Sequence, residues 1–329
     1  MSERSERTDG TSDPREALVP LRDAATVLLV RDGDDGLEVF MLRRNLQSDF
    51  VGGAYVFPGG AVDPPDRGDT LEPYCEGRSD VEASTRLGID TGGLAFWIAA
   101  IRESFEESGY LLAYGGDGAL VSLDEPEIAE RFVAHRRAVD QGERSLLSVC
   151  EDEGLRLAVD TMWYFGHWIT PEGAPRRYDT RFFLAAAPPN QVPVHDDRET
   201  IANVWIRPVD ALARQRAGEF TMLPPTVASL RALLASETAA QALEAAAEIV
   251  DVPTVQPRVI MDDGGVRIVM PGDPEYDEAY RGDRSLGTWP SADARSDAAA
   301  GERASGAGSA ARPTGERIED LARDAEVDT

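Results

Sequence analysis

The 329-residue chain contains no lysine: all 33 of its basic residues are arginine, set against 60 Asp and Glu, for a formal net charge of -27. Schiff-base and lysine-nucleophile chemistry are thereby excluded. So acidic a field disfavours nucleic-acid backbones and anionic membranes as partners. Cysteine is scarce as well. Cys75 and Cys150 are the only two, too few for a disulfide framework or a Cys-rich metal site, and both are expected as reduced thiols. No apolar run approaches the roughly 18 residues that a membrane helix needs, and Met1-Ser2-Glu3-Arg4 lacks an apolar signal core. A cytoplasmic protein is therefore expected. The three histidines, His135, His167 and His195, have no ligand spacing, so structural or surface roles are expected of them. Neither a glycine-rich dinucleotide fingerprint nor a Walker loop is present.

What is present is a glutamate cluster at helical spacing. At roughly 100° per residue, Ile98, Ile101, Phe105 and Leu112 share one stripe, and the mean direction of Glu103, Glu106 and Glu107 lies about 160° away. One face is built to pack and the other collects carboxylates. Like charges at these spacings repel by a few tenths of a kcal/mol each, a cost that a cation between them would relieve. Hard oxygen ligands select Mg²⁺ or Mn²⁺, which bind through a few carboxylates together with substrate phosphates. Arg102, four residues before Glu106, is placed to orient one carboxylate.

A second feature stands upstream. The turn Phe57-Pro58-Gly59-Gly60 follows the strand-like Ala54-Tyr55-Val56, and paired glycines let main chain approach a phosphate or metal closely. Just before it, Arg43 and Arg44 end another strand, where a guanidinium fork could grip a phosphate. Gly59, Gly60, Arg43 and Arg44 are thus candidate substrate contacts.

Taken together, Gly60, Asp66 and Arg102-Glu103-Ser104-Phe105-Glu106-Glu107-Ser108-Gly109-Tyr110 resemble an interrupted Nudix box. Asp66 stands where the family has Glu, and Ser104 replaces an apolar residue. The 41 residues between Gly60 and Arg102 amount to an insertion of about 28 relative to the family pattern. A box broken in this way resembles the coenzyme A diphosphatase branch, as do Trp168-Ile169-Thr170-Pro171, Arg177-Tyr178-Asp179-Thr180-Arg181-Phe182-Phe183 and Pro224-Pro225-Thr226. The branch's Leu-Leu-Thr-x-Arg stretch is matched only loosely by Met41-Leu42-Arg43-Arg44.

The resemblance implies an α+β fold, a Nudix-type α/β/α sandwich with a mixed sheet enlarged by helical insertions. It also implies a Mg²⁺- or Mn²⁺-dependent pyrophosphohydrolase acting on coenzyme A or an acyl-coenzyme A. Glu103, Glu106 and Glu107 would hold the metal, Arg102 would assist catalysis, and Glu103 or Glu199 would serve as base. Asp196 and Asp197 compete with Glu199 for that role. The alternatives are another nucleoside diphosphate derivative (a nucleotide sugar, ADP-ribose or NADH), or a non-catalytic Nudix-fold ligand-binding module. The intact Arg102 and three glutamates argue against the last. In either enzyme reading the partner is a small nucleotide-type molecule, with oligomeric state left open.

Patterning divides the chain into a disordered arm over 1–20, a domain over 21–281 with insertions at about 67–93 and 119–158, and a disordered tail over 282–329. Strands are expected at 24–30 and 37–42, at 162–169, 181–187 and 203–206, and as a hairpin at 259–261 and 266–270. Helices are expected at 80–87, 94–112, 124–141, 145–153, 209–217, 225–235 and 238–250. The helices at 124–153 would sit beside the site as a lid or substrate wall.

Overall fold

The computed structural model describes residues 19–46, 52–68, 70–193, 200–262, 265–277 and 279. Most of the expected N-terminal arm, the whole 282–329 tail, and Glu199 with His195, Asp196 and Asp197 lie outside the described residues. Two compact units are distinguishable, one formed by the described residues of Arg22–Ile169 and Tyr178–Gln256, the other by Thr170–Arg177 with the described residues up to Leu21 and from Pro257 onward.

The larger unit runs β1 (Leu21–Gly33), β2 (Gly36–Arg44), β3 (Tyr55–Val56), β4 (Gly59–Ala61), α1 (Asp80–Leu87), α2 (Leu94–Ser108), β5 (Ala113–Tyr114), α3 (Pro126–Asp140), α4 (Leu146–Glu153) and β6 (Arg156–Leu157). It continues with β7 (Trp163–Ile169), β8 (Arg177–Ala186), β9 (Thr200–Ile206), α5 (Pro208–Arg216), α6 (Pro224–Ala232), α7 (Ala239–Glu248) and β10 (Thr254–Val255). The smaller unit holds the antiparallel hairpin β11 (Arg258–Asp262) and β12 (Gly265–Val269).

The main sheet is mixed. Its order is β10-β7-β8-β1-β2-β3, with β4 on β1 and β9 on β2; β10 lies parallel to β7, whereas β7–β8, β1–β2, β1–β4, β2–β3 and β2–β9 are antiparallel. Strands β1 and β2 are longer than their sequence pattern suggests. They meet at a two-residue turn, Asp34-Asp35, because Gly36 takes a φ of 110° that a side chain would resist. Beyond Val30 and Val39 the two strands part, and the gap is filled by β3 on β2 (Leu42 opposite Val56) and β4 on β1 (Ala25 opposite Gly60). The Phe57-Pro58 link crosses that split, and the Pro58 carbonyl accepts from Val27 N–H at 2.9 Å.

Alternation along the strands sorts the core into two layers. Ala25, Val27, Leu29, Phe40 and Leu42 join the cluster built on α2 through Ile98, Ile101 and Phe105. Leu28, Val30 and Met41 are also fully buried and face the other way, where α5 packs against β2.

Helix α2 differs from its pattern in two ways. It ends at Ser108, four residues early, because Gly109 adopts a left-handed φ of 79° and its N–H closes on Phe105 O at 3.0 Å. Its carboxylate face is also largely withdrawn from solvent: Glu107 is buried and Glu103 and Glu106 keep only part of their surface exposed, since the inserted helices α1 and α3 pack against it.

Helix α1 caps α2 directly. The α2 N-cap is Gly93, which has no side chain. Its role is taken by the Asp80 carboxylate, which accepts from Gly92 N–H and Leu94 N–H at 2.9 Å each, and by Ser84 Oγ, which accepts from Gly93 N–H at 2.9 Å. Gly93 must be glycine for this contact, since a Cβ there would lie 2.3 Å from Ser84 N. Loss of a helix cap costs about 0.5–2 kcal/mol. Asp80→Ala should therefore lower unfolding stability by about 1 kcal/mol or more in urea titration, whereas an unchanged midpoint would show that α1 does not hold α2 by this contact.

Candidate active site

Arg102 lies at the centre of the acidic cluster. Its guanidinium is buried and every side of it is engaged. Nε and Nη2 fork onto Asp66 (2.9 Å to Oδ1 and 2.9 Å to Oδ2), Nη1 donates to Glu103 Oε1 at 2.9 Å and Glu106 Oε2 at 3.0 Å, and Nη2 also donates to Ala61 O at 2.8 Å. Asp63 Oδ2 stands 3.5 Å from Nη2.

Local chemistry explains how Asp66 reaches it. Residues Pro64–Asp66 form a single 3-10 turn started by a capping box, in which the Asp66 carboxylate accepts from Asp63 N–H at 2.9 Å. This turn carries the insertion away from β4 while leaving one carboxylate, 2% exposed, against the guanidinium.

The glycines of β4 act through closeness. Neither Gly59 nor Gly60 has positive φ, and both lie in a strand where the sequence suggests a turn. A Cβ on Gly60 would stand 2.5 Å from the Glu103 carboxylate carbon, and one on Gly59 would stand 2.5 Å from Ala25 O. Gly59 N–H instead donates to Glu107 Oε2 at 3.0 Å. The glycine strand and the α2 carboxylates are therefore in direct contact.

The electrostatics follow from the count of charges. Burial raises the pKa of Glu103 to about 8 and of Glu106 to about 7, with Arg102 pulling both back only in part. Burial likewise raises Asp66 despite its two bonds to the guanidinium. Burial works against the Arg102 charge too, yet Asp66, Glu103 and Glu106 outweigh it and raise its pKa, so Arg102 stays cationic. Among the described residues one guanidinium thus serves three carboxylates, Asp66 buried and Glu103 and Glu106 largely so, and the cluster is left short of cation. The donor chemistry, hard oxygens on one helical turn, fits a divalent metal ion. Among the described residues, no three His, Cys, Asp or Glu side chains converge as a ready ligand set, because Arg102 draws Asp66, Glu103 and Glu106 onto itself and Glu107 turns to Gly59.

The arginines at the end of β2 separate. Arg43 is registered opposite Tyr55 and its guanidinium lies over that ring at 5.9 Å; Tyr55 stacks on Phe220 with centroids 3.6 Å apart. Leu42 faces α2, so alternation sends Arg43 to the opposite face and returns Arg44 to the α2 side. The register shift between Arg43 and Arg44 places the extra residue in β9, with Arg44 opposite Thr200, the immediate neighbour of Glu199. His135 is held between Glu153 and Arg144, and His167 between Asp179 and Thr254.

A split mixed sheet, a glycine strand in the split and a carboxylate helix docked beneath it define the architecture, which is that of the Nudix hydrolase fold. The NUDT19 Nudix domain model matches residues 79–233. The chain is 30% identical over 249 residues to the acyl-coenzyme A diphosphatase NUDT19 of Gallus gallus, covering 62% of this chain and 65% of that protein. It is 27% identical over 234 residues to the Homo sapiens protein of the same name, covering 60% and 61%. The match spans a little under two thirds of those relatives' own length. Among solved structures, a NUDIX hydrolase from Alicyclobacillus acidocaldarius is 29% identical with a TM-score of 0.57, covering 69% of this chain and 96% of that one. Nudix hydrolases generally use divalent metal ions. Among the described residues no helix is long and apolar enough to cross a membrane.

The raised glutamates make a prediction about pH. An acid whose pKa is higher in the folded chain than its ordinary 4.5 is bound more tightly to its proton when folded. Its contribution is therefore fully present below about pH 4.5 and is lost as pH rises through 7 to 8. Metal-free protein should lose stability between pH 5 and pH 8, and Glu106→Gln should lose less over the same interval. Parallel melting profiles for the two proteins would contradict the assigned burial of Glu106.

Proposed function

We propose that the chain is a Mg²⁺- or Mn²⁺-dependent pyrophosphohydrolase that cleaves coenzyme A or an acyl-coenzyme A to 3′,5′-ADP and a 4′-phosphopantetheine product. The observation that carries the reading is the shortage of cation at Arg102, where three carboxylates share one guanidinium beside a glycine strand. The similarity to acyl-coenzyme A diphosphatases supports the substrate class.

Glu103, Glu106 and Glu107 would hold the metal, whose chemistry is to neutralise charge on the diphosphate and acidify a water. The chain's own residues do the rest. Arg102 and Asp66 fix the side of the cluster that faces the 3-10 turn, leaving the second oxygens of Glu103 and Glu106 for the ion. Glu103 is one candidate acceptor for the water's proton and Glu199 is the other. Gly60 lets the Glu103 carboxylate, and Gly59 the Glu107 carboxylate, come down onto main chain beside the ion they would hold. Arg44 sits at the same end of the sheet as Gly60, since β2 ends where β1 begins, and is the arginine placed to grip a phosphate. Arg43, whose guanidinium lies over the Tyr55 ring on the opposite face, would contribute less.

A coenzyme A substrate carries a 3′-phosphate into a protein of net charge -27, so a basic contact must offset it. Purified protein with Mg²⁺ or Mn²⁺ should hydrolyse coenzyme A faster than dephospho-coenzyme A. Arg44→Ala should narrow that preference by about tenfold, the scale of one charge-assisted hydrogen bond, and Arg43→Ala by less. Turnover of ADP-ribose or a nucleotide sugar with no cleavage of either coenzyme A form would overturn the substrate assignment.

A further inference from the structure

Helix α2 carries its acids at the unfavourable end. Its last two turns hold Glu103, Glu106 and Glu107 and its last turn has no basic residue, although the outward carbonyls of a helix C-terminus favour cations and disfavour carboxylates. Gly109 satisfies the Phe105 carbonyl. The next two carbonyls are met from outside by Arg136 of α3: its Nε donates to Glu106 O at 2.8 Å, and Nη2 reaches Glu107 O in a longer contact of 3.5 Å. Arg136 is 7% exposed, so the whole guanidinium is enclosed with these two carbonyls as its acceptors on α2. A planar fork suits two adjacent carbonyls in a way that a lysine ammonium does not.

We propose that Arg136 is a positioning residue for the metal-binding carboxylates. By pinning the backbone of Glu106 and Glu107 it fixes the turn from which both side chains project, and it supplies the C-terminal positive charge that α2 lacks. Arg102 binds the carboxylates of the cluster through Asp66, Glu103 and Glu106, and Arg136 holds the carbonyls of Glu106 and Glu107 beneath them. The inserted helix α3 therefore has a hold on the carboxylate helix, where a lid or substrate wall is the expectation from sequence. With Asp80 and Ser84 of α1 at the other end, α2 is gripped at both termini by inserted helices. The link to metal rests on the divalent-ion reading above, whereas the grip on the backbone does not.

Two variants, Arg136→Met and Arg136→Lys, test it with two readouts. Amide hydrogen exchange in the metal-free protein reports the backbone of residues 105–109, and titration with Mn²⁺ followed by electron paramagnetic resonance reports the ligands. Arg136→Met should exchange at least tenfold faster across 105–109 while the first turns of α2 keep the parent's rates. It should also bind Mn²⁺ about tenfold more weakly, the usual scale for losing a group that orients metal ligands. Arg136→Lys should recover part of both losses. Parent-like exchange in Arg136→Met would overturn the clamp, and parent-like Mn²⁺ affinity despite faster exchange would overturn its role in positioning. A parent protein that fails to bind Mn²⁺ would overturn the metal link, while the exchange comparison would still decide the clamp.

Discussion

Everything in the site depends on a deficit of positive charge. Asp66, Glu103 and Glu106 are brought to one guanidinium, and burial raises the pKa of all three. A buried charge that lacks a partner is expensive, so a fold that sets three carboxylates around one arginine stores a demand for cation. The arrangement makes physical sense as a receptor for a divalent ion arriving with an anionic substrate. In a molecule with no lysine each local cation is an arginine, and Arg102 and Arg136 are used as planar forks.

The scaffold holds that cluster by enclosing α2. The split between β1 and β2 admits the glycine strand, Gly60 lets the Glu103 carboxylate approach main chain, and Gly59 N–H fixes Glu107. Asp80 and Ser84 grip the N-terminal end of α2 and Arg136 the C-terminal end. These three residues belong to stretches that read as embellishments when the sequence is compared with a compact box. In the folded chain they supply the caps that α2 lacks, with glycine at its N-cap and acids in its last turn.

How much of this was legible in advance depends on the range of each interaction. The carboxylate helix, the glycine pair, the α+β class and the inserted helices follow from spacing and composition, because helix and strand periodicities are local. The end of α2 was misplaced although Gly109 was visible, since apolar residues through Leu112 continue the helical pattern after the backbone has turned left-handed. Asp63 and Asp66 had a readable local cue, the three-residue spacing of a capping box, but not their arginine partner, 36 residues further on. Arg43 and Arg44 looked equivalent, and only the strand's alternation separates one stacked on Tyr55 from one on the α2 side. Asp80 and Arg136 carried no local cue, because the backbone groups they serve belong to another element.

The central claim, that the shortage of cation at Arg102 is met by a divalent ion, is tested most directly by anomalous diffraction from crystals soaked in Mn²⁺. The account predicts a manganese peak bound by carboxylate oxygens of Glu103, Glu106 and Glu107, with the Arg102 fork still on Asp66. A peak elsewhere, or no peak while Arg102 keeps all of its carboxylate partners, would contradict it.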